Sequence, residues 1–132
     1  MEKIYSDGAI EDIILEKLRN GEKIQDGNLQ DGAVFHNFTS CRENLFNWYP
    51  FAKNASILEI GAGMGALTGL FCRTCEKVVA LEQSTKRADI IRARYREYDN
   101  LTVISDDIFK AKFEEQFDYI ILAGVLEYAA MN

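Results

Sequence analysis

One nine-residue stretch constrains this chain more than any other: Ile57-Leu58-Glu59-Ile60-Gly61-Ala62-Gly63-Met64-Gly65. A short apolar run with strand character enters three glycines at alternate positions. A helical pattern follows from residue 66 to about 75, with Leu67, Leu70 and Phe71 on one face. Glycine lets the backbone turn tightly from strand to helix and brings bare main chain close to a ligand. The chain therefore carries at least one strand–turn–helix unit built to face a small molecule.

The same order continues downstream. Residues 78–82 are the next strand, and Ser84 or Thr85 caps a helix over residues 86–98 whose Ala88, Ile91, Tyr95 and Tyr98 form an apolar stripe. Residues 101–104 and 117–122 are the third and fourth strands. Apolar strands alternating with helices predict a parallel sheet covered on both faces, hence an α/β fold.

The region before the sheet reads differently. Ile10, Ile13, Ile14 and Leu18 lie on one face of a helix over residues 9–20, capped by Ser6 or Asp7 and ended by Gly21. Residues 21–35 read as a loop. Ser40-Cys41-Arg42-Glu43 has capping-box spacing ahead of Leu45, Phe46, Trp48 and Tyr49, and Pro50 stops that helix. The expected division is an N-terminal helical segment over residues 1–54, closing over the ligand, and a core over residues 55–132.

Composition bounds the partners. The 132 residues make one domain, with a formal charge of -6. Sequence-blind binding to nucleic acid or anionic lipid needs a basic excess, so the expectation is no nucleic acid and no membrane. The longest apolar run, residues 120–126, falls far short of the roughly 20 residues a spanning helix needs. The N-terminus shows no signal-peptide pattern, and three cysteines argue against a disulfide scaffold, so a cytoplasmic location is expected.

Two carboxylates define what the glycine turn holds. Glu82 ends the second strand 17 residues after Gly65, where a carboxylate accepts both hydroxyls of a ribose. The spacing of Gly61, Gly63 and Ala66 also fits a nicotinamide dinucleotide. A pyrophosphate, however, is disfavoured next to Glu59, whereas an acidic group there suits a cofactor with a cationic end. Glu59 decides between the two in favour of S-adenosylmethionine.

At this point the chain resembles the class I S-adenosylmethionine-dependent methyltransferases, over about residues 57–128. Leu58 to Gly65 looks like the family's glycine loop, and Val79-Ala80-Leu81-Glu82 like its ribose-binding strand end. Ser105-Asp106-Asp107-Ile108 resembles the adenine-binding segment, and Phe117-Asp118-Tyr119-Ile120 the fourth-strand motif. More narrowly, Arg42-Glu43-Asn44, Trp48-Tyr49-Pro50-Phe51 and Gly124-Val125-Leu126-Glu127-Tyr128 look like bacterial methyltransferase domains often joined to glycosyltransferases.

The resemblance implies a Rossmann-like sheet of order 3-2-1-4 that stops after the fourth strand of the usual seven. It implies cofactor contacts at Gly61, Ala62, Gly63 and Gly65, with Glu59 on the amino-acid end. Glu82 and Gln83 fall at the ribose. Asp106, Asp107 and Ile108 fall at the adenine, with Asp106 rather than Asp107 on its amino group, and Gly124 follows the fourth strand. The implied function is methyl transfer to a small-molecule or saccharide acceptor, with no assigned catalytic residue. The alternatives are an NAD(P)-binding oxidoreductase fragment or a non-catalytic assembly fragment that binds S-adenosylmethionine. A homodimer through the exposed edge of the fourth strand is expected, because that strand is apolar and lacks a following partner.

Other chemistry-bearing residues have plainer readings. Cys72 and Cys75 fall near a helix C-terminus, where the dipole raises a thiol pKa, so buried cysteine is expected rather than redox or metal chemistry. Phe35-His36 matches an aromatic–His pair of the narrower relatives. Arg42 is a donor suited to a carboxylate. Lys86, Arg87, Arg92, Arg94 and Arg96 make one helix basic, and the default reading is a solvated face.

Overall fold

The computed structural model describes residues 8–24 and 32–126. Four parallel strands, β1 (Ser56–Ile60), β2 (Lys77–Glu82), β3 (Leu101–Ser105) and β4 (Tyr119–Leu122), form one sheet in the order β3-β2-β1-β4. This is the α/β Rossmann-like arrangement that the alternation of patterns predicts. Among the described residues four α-helices accompany it: α1 (Ala9–Arg19), α2 (Gly32–Phe38), α3 (Thr68–Thr74) and α4 (Thr85–Arg94).

The two faces of the sheet are covered by different material. On one face, Ile57 and Val78 pack against Leu67, Phe71, Cys72 and Cys75, with Phe46 and Phe51 against the same cluster. On the other, Leu58, Val79 and Leu81 pack against Ala111, Phe113 and Phe117, which belong to the segment between β3 and β4. Because side chains alternate along a strand, consecutive apolar residues serve both faces. β4 lies at the sheet edge, and its Ile120 and Leu122 are exposed.

The helices depart from expectation in three places. The turn after β1 extends through residue 67, and α3 starts only at Thr68, because Gly65 has φ +87° and cannot continue a helix. The helix expected over residues 86–98 ends at Arg94, where Tyr95 leaves helical dihedrals. Part of the expected loop over residues 21–35 is helical, since α2 occupies residues 32–38. The helix expected from Ser40 is a 3₁₀ turn, Ser40–Leu45, whose N-cap Thr39 makes no side-chain capping bond. α1 ends as expected: the N–H of Gly21 donates to the Leu18 carbonyl and that of Glu22 to the Lys17 carbonyl. Its expected caps, Ser6 and Asp7, lie outside the described residues, as do Glu127 and Tyr128.

α1 lies on α4, and this changes the reading of the basic helix. Ile14, Leu15 and Leu18 pack with Ile90, Val34 and Met64. Around that contact, Lys86 pairs with Asp12 at 2.7 Å and Arg87 with the fully buried Glu11 at 2.7 Å. The cations read as a solvated face thus help to dock a second helix. Among the described residues, no helix is long and apolar enough to cross a membrane.

Candidate cofactor site

The site forms where β1 and β2 end. The N–H groups of Gly61 and Ala62 both donate to the Leu81 carbonyl, at 2.8 and 3.1 Å, which ties the turn after β1 to the neighbouring strand. Ala62 is buried against Ala80 and Ile91, while Gly61 is exposed. The turn is therefore tied to β2 at its start, and beyond that point only Gly63 is half-buried while Met64 and Gly65 are buried.

Two of the glycines serve different ends. A Cβ on Gly65 would lie 2.8 Å from the Tyr95 ring, which donates its hydroxyl to the Gly65 carbonyl at 2.6 Å. Gly65 is required by packing. Gly63, at φ +61°, has nothing nearer its Cβ position than Asn37 Oδ1 at 3.9 Å. The space where a side chain would stand is therefore free, although the Gly63 N–H itself is taken by Glu82.

Glu82 reaches back over this turn. One carboxylate oxygen accepts the Gly63 N–H at 2.7 Å and the other accepts the Ser84 N–H at 2.9 Å. The side chain is 8% exposed. Two backbone donors fix its orientation and still leave lone pairs, because a carboxylate offers about four acceptor positions. Gln83 beside it is exposed.

Glu59 lies deeper, 4% exposed, and accepts the Thr68 hydroxyl at 2.6 Å. Burial pushes its pKa up from 4.5 to about 7, against the opposing pull of the Thr68 bond and the charges of Arg42 and Arg94. The neighbouring charge of Glu82 raises it further. Two buried carboxylates of like charge close together favour a ligand that brings positive charge.

The adenine end is built differently. Asp106 and Asp107 follow β3 and are half-buried. Asp107 accepts the Phe109 N–H through its side chain at 2.9 Å, while its own N–H donates to Asp106 Oδ1 at 2.8 Å. Its carbonyl accepts the N–H groups of Lys110 and Ala111, so Asp107 holds the turn. Ile108 is 39% exposed and Phe109 92% exposed. Gly124 is exposed just after β4, with φ +73°.

The structure thus brings Glu59, Gly61, Ala62, Gly63, Gly65 and Glu82 together around one turn, with Gln83 at its margin. Asp106, Asp107 and Ile108 follow β3 and Gly124 follows β4, the two opposite edges of the same sheet. His36 is exposed, with its ring edge-to-face on Phe35 at 5.7 Å. Arg42 acts on Glu59 through its charge. Cys72 and Cys75 are buried, and burial first, then the charge of Glu59, pushes the Cys72 thiol up to about 12. Such thiols stay protonated and inert.

Sequence reasoning missed Asn37 beside Gly63, and it missed Arg94. One Arg94 nitrogen donates to the carbonyls of Asn37 and Met64, at 2.6 and 3.1 Å. A usable signal existed: Arg87, Ile91 and Arg94 recur at helical spacing, which sets both arginines beside the buried stripe.

These residues fit S-adenosylmethionine. The free space at Gly63 would leave room for a ligand, Glu82 keeps acceptor positions that a diol would use, and the paired buried carboxylates would suit a cationic amino-acid end.

Comparison with known proteins gives a consistent picture. Residues 25–129 match the profile of the family Ribosomal RNA adenine dimethylase. An rRNA adenine N-6-methyltransferase of Lysinibacillus sphaericus is 29% identical over 74% of this chain and 40% of its own length. The Ribosomal RNA small subunit methyltransferase A of Streptococcus thermophilus is 31% identical over 63% of this chain and 29% of its own. The chain thus spans well under half the length of these relatives. Among solved structures, a Haemonchus contortus phosphoethanolamine N-methyltransferase holding S-adenosylhomocysteine superposes with a TM-score of 0.60. It is 16% identical and covers 84% of this chain and 24% of its own, a likeness of fold.

These matches correct two expectations. The matching family and the relatives are named for ribosomal RNA, not for a small-molecule or saccharide acceptor, and this overturns the reading of no nucleic acid. The narrower likeness to glycosyltransferase-linked methyltransferases gives way to the same finding. The argument from net charge failed because a whole-chain sum does not say where the charges lie, and a local basic site is enough to meet a nucleic acid.

Proposed function

The chain belongs to the ribosomal RNA adenine dimethylase family, and from that premise we propose that it binds S-adenosylmethionine as part of a methyltransferase acting on adenine in ribosomal RNA. The family is one of class I S-adenosylmethionine-dependent methyltransferases, so the oxidoreductase alternative falls. The single observation that carries the acceptor is the match over residues 25–129. The carboxylate pair around the open Gly63 supports the cofactor.

When bound, S-adenosylmethionine supplies a methyl group on a sulfonium, ready for transfer to a nucleophile. The chain's own residues bind and orient. Glu59 faces the ammonium of the amino-acid end, and its buried position strengthens that attraction. Glu82 accepts the ribose hydroxyls with the lone pairs its backbone donors leave. Asp106 would accept from the adenine amino group and Ile108 would lie against the ring, while Asp107 holds the turn. Asn37 and Arg42, which precede β1, would line the amino-acid end. Methyl transfer depends mainly on such alignment and needs no covalent protein nucleophile.

Calorimetric titration tests the cofactor: S-adenosylhomocysteine should bind and NADH should bind far more weakly. Equal or better binding of NADH defeats the cofactor assignment. For the acceptor, labelled S-adenosylmethionine and ribosomal RNA should yield N6-methylated adenosine on nuclease digestion. Label in another base, with none in adenine, defeats that part.

A further inference from the structure

Arg94 is a half-buried cation with no carboxylate bonded to it among the described residues. Its two recorded hydrogen bonds go to main-chain carbonyls, those of Asn37 and Met64, from the same terminal nitrogen. Its guanidinium lies over the Phe38 ring at 4.3 Å and near the Tyr95 ring at 5.0 Å. The charges of Glu43 and Glu59 act on it from a distance. A group so placed serves geometry more than ion pairing.

The two carbonyls belong to two segments that approach each other at Gly63. Met64 follows Gly63, the glycine with open space at its Cβ position. Asn37 supplies the atom nearest that space, its Oδ1 at 3.9 Å. One guanidinium therefore joins the glycine turn to the segment before the 3₁₀ turn. The next residue grips the same turn one peptide further on, where the Tyr95 hydroxyl donates to the Gly65 carbonyl at 2.6 Å. The C-terminal end of α4 thus fixes successive carbonyls of the turn and, through Arg94 alone of the pair, the opposing wall.

We propose that Arg94 is a positioning residue that holds the Asn37 wall against the glycine turn and so sets the affinity for the amino-acid end of the cofactor. This rests on the reading of the site given above. Lysine reaches less far and lacks the planar face that stacks on Phe38, so it is an incomplete replacement.

The test compares Arg94→Met and Arg94→Lys with the unaltered chain, using two probes. S-adenosylhomocysteine carries the amino-acid end; 5′-methylthioadenosine lacks it. Arg94→Met should bind S-adenosylhomocysteine about tenfold more weakly and 5′-methylthioadenosine as before, with Arg94→Lys in between. Without ligand, hydrogen exchange should quicken at residues 35–38 and 61–65 and stay unchanged in β3. Unchanged affinity for S-adenosylhomocysteine in a folded Arg94→Met overturns the proposal. So does an equal loss for both probes, which marks general damage. If Arg94→Met does not fold, Arg94→Lys decides by the same selective or equal loss. If the unaltered chain binds neither probe, the cofactor reading fails by itself, and exchange still decides: unchanged rates at residues 61–65 in either variant reject the positioning role.

Discussion

The two ends of the candidate site are built on opposite principles. At the glycine turn, both carboxylates are buried and already bonded: Glu59 to Thr68, Glu82 to Gly63 and Ser84. At the end of β3, Asp106 and Asp107 are half-buried, and the apolar residues beside them, Ile108 and Phe109, stand in solvent. The first end is preorganised, so a ligand finds its acceptors in place. The second offers surface that a ligand itself must cover. The contrast teaches that affinity should respond strongly to changes at the turn and weakly to changes at β3.

The largest expected effect follows removal of the carboxylate with most bonds at the turn. Glu82→Ala should lower affinity for S-adenosylhomocysteine by about a hundredfold or more, since charge-assisted bonds to two hydroxyls are lost at roughly 1.5–3 kcal/mol each. Circular dichroism should stay unchanged. Unaltered affinity in the folded variant would break the comparison at its stronger end.

Glu59 gives a pH signature. The folded chain holds its proton up to about pH 7, against an ordinary 4.5. Its contribution to stability is therefore complete below pH 4.5, falls as pH rises through about 7, and is constant above. Glu59→Gln should flatten that decline in a series of melting temperatures, by about a few degrees across the window. Parallel curves for the two proteins would show that Glu59 is ionised throughout.

The β3 end should respond less. Asp106→Asn should weaken S-adenosylhomocysteine binding by about three- to tenfold, the scale of one hydrogen bond. Asp107→Asn should be nearly silent, because asparagine keeps the oxygen that caps Phe109. The reverse result moves the adenine contact by one residue. Smallest of all, Phe109→Ser should change unfolding free energy by less than about 0.5 kcal/mol, as for exposed positions generally. A larger loss would show that Phe109 is covered in solution.

Much of this architecture was legible because it is local. The strands announce themselves as short apolar runs, and the glycine turn sits between a strand and a helix in sequence as in space. What escaped depends on partners far away. α2 is seven residues, Gly-Ala-Val-Phe-His-Asn-Phe, without helical periodicity, and it is placed by Val34 in the core and by Arg94 at its end. The 3₁₀ turn after it carries a capping-box pattern that the chain does not use, since Ser40 lies inside the turn and the Glu43 carboxylate pairs with Arg73 instead. Arg94 was grouped with its basic neighbours because composition does not distinguish an inward cation from an outward one. The carboxylates beside the turn were legible by spacing; the arginine that bonds the Met64 carbonyl was not.

The strand order also carries a kinetic consequence. β1 and β2 pair across 21 positions (Ile57 with Val78), and β2 and β3 across 23 (Val78 with Leu101). β1 and β4 pair across 62 (Ile57 with Tyr119). Closing a longer loop costs more entropy before any contact rewards it. The three-stranded unit that contains the glycine turn and Glu82 should then nucleate first, with β4 zipping onto β1 afterwards. Refolding followed by pulsed hydrogen exchange would register protection in β1, β2 and β3 ahead of β4, so that the cofactor cradle is assembled before the sheet is complete.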